Sequence, residues 1–172
     1  MKKSTFFYLL VLAGWVILVF TFSSQSYEQQ SIKPLLHRIF QDVNLSRWMP
    51  DINLYYQGRA ISAKFDPYNF IEFVFRKSAH LFVYGMLASL LLLLFRSIFS
   101  RRPLLSTLLA LATTFVAAGL DEWNQYQSDS RTGTMTDVMI DMTGAAIGIT
   151  ITWILIGLFR RRSRRRKRRT RR

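Results

Sequence analysis

The chain has 172 residues, half of them apolar, and carries 24 basic against ten acidic residues for a net charge of +14. That length suits one compact unit better than two, and the absence of cysteine excludes disulfides, thiolate catalysis and cysteine-ligated zinc. The charge is no argument for a nucleic-acid partner, because eleven basic residues sit in the terminal run RRRSRRRKRRTRR, and the remaining 13 basic and ten acidic residues leave only +3.

The apolar residues gather into four blocks separated by charged segments, which predicts an all-α, four-span transmembrane helical bundle. The expected spans cover residues of about 4–22, 77–97, 103–121 and 137–159, each reaching roughly 28 to 35 Å at 1.5 Å per residue. They form one membrane domain over 1–159, followed by a disordered basic tail, 160–172.

The first block follows Met1-Lys2-Lys3 and resembles a signal peptide. Its apolar run is longer than such a region needs, and TFSSQS is a poor cleavage site, so a retained helix is expected, with a cleaved signal as the alternative. In the segment after it, Ile32, Leu35, Leu36, Ile39, Phe40 and Val43 recur at three and four residues. They predict an amphipathic surface helix of about three turns in the long first outer loop. The following stretch, NLSRWMPDINLYYQGRAISAKFDP, is rich in aromatic and turn residues and reads as an ordered interfacial loop. Asp66 then caps the second long helix, with Pro67 in its first turn.

Four spans place Lys2 and Lys3, then Arg96, Arg101 and Arg102, then the tail on one side. By the positive-inside rule both termini of this multi-pass chain face the cytoplasm. The tail reads as an anchor to anionic lipid; no aromatic residue interleaves it, so nucleic acid is not an expected partner.

The stretch DEWNQYQSDSRTGTMTDVMID holds five of the ten acids, Asp121, Glu122, Asp129, Asp137 and Asp141, with Arg131 as its one basic residue. On this topology Ser24, Gln25, Lys77, His80, Asp121, Glu122, Gln125, Asp137 and Asp141 share the outer level. Lys77, His80 and Tyr84 fall on one helical stripe that continues into Leu87 and Leu91 and is expected to face the bundle. The plain reading of Lys77 is an interfacial anchor snorkelling to headgroups; His80 lies a turn deeper and needs a partner. Asp121 and Glu122 end a helix where the dipole opposes acids, so they call for compensating cations. Asp137 begins the last helix, where acid is favourable and Thr136 can act as cap. Asp141 shares a face with Gly144 and Gly148, whose spacing lets another helix pack closely.

Three motifs carry a family resemblance: FSSQS at 22–26, RKSAHLFVYGML, and DEWNQ followed by RTGTMTDVMIDMTGAAIG. In this order they resemble the VanZ-like family of bacterial integral membrane proteins. The resemblance implies a ligand site at Ser24, Gln25, Lys77, His80, Tyr84, Asp121, Glu122, Gln125, Arg131 and Asp137, with Gly144 and Gly148 as structural glycines. Trp123 and Asn124 depart from the family's aromatic or histidine preference. Asp141 stands where the family usually has asparagine, which implies hydrogen bonding rather than proton transfer there.

The resemblance also implies an association with lowered susceptibility to glycopeptides of the teicoplanin type, without a defined reaction. Three functions fit. The first is a non-enzymatic protein binding a lipid-linked or anionic envelope ligand through Lys77, His80 and Arg131. The second is an intramembrane enzyme with His80, Glu122 and Asp121 as candidate acid and base. The third is a proton-coupled carrier using Asp141 and His80. Two histidines and scattered acids match no standard metal spacing, so neither metal nor cofactor is expected.

Overall fold

The computed structural model describes residues 3–26, 28–41, 43–126 and 134–169, with side chains through residue 162. Five helices dominate: α1 (Lys3–Ser23), α2 (Lys33–Ile39), α3 (Pro67–Ile98), α4 (Pro103–Tyr126) and α5 (Met135–Arg169). They are joined by one two-stranded hairpin, β1 (Asn53–Tyr56) with β2 (Arg59–Ser62). Four helices, all but α2, are long and apolar enough to cross a membrane, as the spacing of apolar blocks predicts.

The chain divides into two compact units, residues 1–24 with 80–172, and residues 25–79. In the first, α4 turns its 3.6-residue period into a stripe: Ser106, Ala110, Thr114, Ala118, Glu122 and Gln125 are its buried positions. Small residues occupy most of that stripe, so neighbouring helices approach closely, and polar side chains end it. From α3, Tyr84, Leu87, Ala88, Leu91 and Leu92 meet Val138, Ala145 and Ile149 of α5 in one core with Ala110 and Ala118. The stripe expected from His80 through Leu91 therefore does face the bundle.

The α3–α5 contact is a backbone seam. A Cβ on Gly85 would lie 2.9 Å from the Gly144 carbonyl oxygen, and a Cβ on Gly148 would overlap the Gly85 backbone. With little hydrophobic drive between helices in lipid, such close van der Waals contact is what holds them together. By contrast α1 buries only Thr5 and exposes Phe6, Leu10, Ile17 and Phe20, the surface of a helix solvated by lipid. Its polar ties are few: Ser97 Oγ donates to Thr5 Oγ1 at 3.0 Å, and Trp15 Nε1 donates to the Val83 carbonyl at 3.2 Å.

Helix α5 does not stop at Phe159. It runs through Arg169, so the expectation of disorder from Arg160 is corrected for residues 160–169. Arginine is a strong helix former, and cations at a helix C-terminus are favoured by its dipole.

In the second unit α2 is two turns long rather than three. Pro34 sits in its first turn, Phe40 closes it, and only Leu36 is buried, while Leu35 and Ile39 remain exposed. No side chain caps it from its own N-cap, Ile32; instead Glu72, 1% exposed, accepts from Ser31 Oγ at 2.6 Å and from the N–H groups of Ile32 and Lys33 at 3.0 and 3.2 Å. A carboxylate at that end also complements the helix dipole.

The aromatic loop resolves into a 3-10 turn at Leu45–Arg47 and the hairpin. Gln57 and Gly58 both have positive φ, 52° and 74°, as a two-residue type I′ turn requires. Lys77 Nζ donates to the Tyr56 hydroxyl at 2.9 Å, and Tyr56 meets the Phe73 ring edge-on at 5.0 Å. The predicted start of α3 holds: Asn69 N–H donates to Asp66 Oδ1 at 3.1 Å, with Pro67 as first helical residue.

Candidate functional site

The polar residues of the first unit converge where one end of α1, α4 and α5 meets the middle of α3. Asp121 is the hub. Tyr84 Oη donates to its Oδ2 at 2.9 Å and Gln125 Nε2 to the same oxygen at 3.0 Å, while Ser23 Oγ donates to Oδ1. One carboxylate thus ties three helices together, which compensates the cost of an acid near a helix C-terminus.

Next to it His80 Nδ1 lies 3.2 Å from Asp141 Oδ1. Asp141 is fully buried and the His80 side chain is 29% exposed, so the pair joins the interior of the cluster to its rim. The second Asp141 oxygen, Oδ2, is buried and has no hydrogen-bond partner among the described residues.

Glu122 accepts at Oε2 from the Thr134 N–H, 2.9 Å away, and Thr134 Oγ1 donates to Asp137 Oδ2 at 3.3 Å. Thr134 immediately precedes α5 and its carbonyl accepts from the Asp137 N–H at 2.9 Å. The residue at the helix boundary is therefore Thr134, with Thr136 already inside the helix. One ligand atom each from His80, Glu122 and Asp141 lies within 4.8 Å of the others.

The structure brings His80, Tyr84, Asp121, Glu122, Gln125, Asp137 and Asp141 together. Ser24 is not part of the cluster's bonding: its hydroxyl turns back to the Phe20 and Thr21 carbonyls at 3.0 and 3.1 Å, and Ser23 reaches Asp121 instead. Helical phase decides between the two adjacent serines, which a linear motif cannot do. Gln25 and Lys77 belong to the second unit. Arg131 and Asp129 lie outside the described residues. Sequence reasoning missed Ser23 and Thr134; the serine pair after an apolar run and a threonine three residues before an acid were the available signals.

Of the two pairings weighed for His80, with Glu122 or Asp121 in an enzyme and with Asp141 in a carrier, Asp141 is the acid bonded to it. Asp141 follows Asp137 by one turn and so points into the same interface.

Four long apolar helices with a buried carboxylate cluster define a polytopic integral membrane protein. The chain belongs to the VanZ/LLP1 family, whose model matches residues 6–157 and so contains every residue of the cluster. No curated protein and no solved structure matches the chain.

Proposed function

We propose that the chain is a non-enzymatic multi-pass protein of the bacterial plasma membrane whose polar cluster binds an envelope ligand and thereby lowers susceptibility to glycopeptides of the teicoplanin type. Residues 1–159 form its membrane domain, both termini face the cytoplasm, and the cluster lies toward the outer leaflet. The positive-inside distribution of Lys3, Arg96, Arg101, Arg102 and the terminal arginines supports that orientation. The terminal arginines hold the cytoplasmic end to anionic lipid, at about 1 kcal/mol per residue near the surface.

The observation that carries the reading is Asp121, held by donors from α1, α3 and α4 beside the buried Glu122 and Asp141. Intramembrane ionisable groups are expensive and are kept where they do work. Three carboxylates and His80 suit the cationic part of a zwitterionic headgroup.

The test is a susceptibility panel in a host lacking its own copy, with alanine at Lys77, His80, Glu122, Arg131 and Asp137 and membrane levels matched by immunoblot. Loss of protection in these variants is the expected result. Protection equal to wild type across the panel would overturn the reading.

A second reading has one specific observation in its favour, the His80–Asp141 pair, which has the geometry of a general acid or base held by a carboxylate. It requires turnover of a lipid-linked cell-wall substrate by the purified protein, abolished in His80→Ala.

A further inference from the structure

We propose that His80, Glu122 and Asp141 form a binding site for one divalent transition-metal ion. The three come from α3, α4 and α5, and no two are adjacent in sequence, so no linear metal motif announces them. In the folded chain one ligand atom from each lies within 4.8 Å of the others.

The chemistry of the donors fits such an ion. An imidazole nitrogen and two carboxylate oxygens suit zinc, manganese or iron, and three protein ligands leave at least one position open. Ligand bonds near 2.1 Å put neighbouring donor atoms of one tetrahedral ion about 3.3 Å apart. His80 Nδ1 and Asp141 Oδ1 already stand 3.2 Å apart. A Glu122 carboxylate oxygen lies within 4.8 Å of a ligand atom of each of the other two.

The neighbouring carboxylate is a poorer candidate for the third ligand. Asp121 is engaged by Ser23, Tyr84 and Gln125, so both of its oxygens already have donors. Asp141 is different: it is completely buried, yet its Oδ2 has no partner among the described residues. Leaving a buried acceptor unsatisfied is costly, and more so when the group is charged. A divalent cation bound by Asp141 supplies a partner for that carboxylate.

This site shares side chains with the ligand site proposed above, but it stands on coordination geometry and is read without any envelope ligand. The full chain, carrying no histidine tag, is purified in detergent, stripped with EDTA and dialysed against Zn²⁺ or Mn²⁺. Metal content is measured by mass spectrometry and affinity by calorimetry. One ion per chain is expected, with binding weakened at least about tenfold in both His80→Ala and Asp141→Asn. His37→Ala removes the other histidine, which stacks on Tyr68 in the second unit, and leaves binding unchanged. Asp141→Asn preserves shape, and its circular dichroism and gel-filtration profile establish that it folds.

The absence of stoichiometric binding by the wild-type chain overturns the proposal, as does binding that survives in His80→Ala and Asp141→Asn. Neither result bears on the susceptibility panel, which fails or succeeds on its own.

Discussion

The Tyr84 hydroxyl donates to Asp121 Oδ2 at 2.9 Å, joining α3 to α4 where the apolar core meets the polar cluster. Tyr84 is 1% exposed, so its ring belongs to the core while its hydroxyl belongs to the site. Packing and site geometry are coupled through this one side chain.

Tyr84→Phe keeps the ring and removes the donor. Hydrogen bonds between membrane helices average about 0.6 kcal/mol and reach about 1.7. Asp121 retains Ser23 and Gln125, so the variant should fold, with a loss inside that range measured by unfolding in mixed micelles. If glycopeptide protection depends on the position of Asp121, it falls in this variant without loss of protein from the membrane.

The glycine seam allows a sharper test. Gly144 meets Leu81 backbone atoms, and Gly148 meets those of Gly85, whereas Gly14 and Gly157 have nothing within 4 Å of an added Cβ. Gly148→Val should cost at least about 1 to 3 kcal/mol through overpacking and reduce the folded protein recovered in detergent. Gly14→Ala and Gly157→Ala should match wild type, and equal recovery of all three would refute the seam.

In the second unit Glu72 satisfies the start of α2 from a distant position in the chain. Glu72→Gln removes the charge and should destabilise this helix end by about 1 to 2 kcal/mol. Hydrogen exchange at the Ile32 and Lys33 amides is the measurement, with faster exchange expected there and little change in α4.

Because the chain contains no cysteine, single introduced cysteines report topology without background. Ser46→Cys should react with an impermeant maleimide in intact spheroplasts, and Ser163→Cys only after permeabilisation. The reverse pattern would invert the proposed orientation.

Much of this architecture was legible because the signals are local. Apolar runs marked the four spans, and Asp66 with Pro67 marked the start of α3, since caps and first turns depend on adjacent residues. The seam at Gly144 and Gly148 was legible from spacing on one helix face. The hairpin was not, because Gln-Gly is a weaker turn signal than Asn-Gly and the strands hold only four residues each. The length of α2 was overestimated because periodic apolar residues continue past Phe40, where the helix ends.

By itself the sequence determined which segments cross a bilayer and which end of them is polar, because burial in lipid demands long apolar runs and tolerates charge only near the ends. The tertiary structure decided which serine meets Asp121, that Asp141 is the acid bonded to His80, and that Asp141 keeps an oxygen without a partner among the described residues. Those outcomes depend on helix rotation and on the close approach of the α3 and α5 backbones, where a Cβ on Gly148 would overlap Gly85. The rotation of each helix arises from packing among residues far apart in the chain, so no local pattern encodes it.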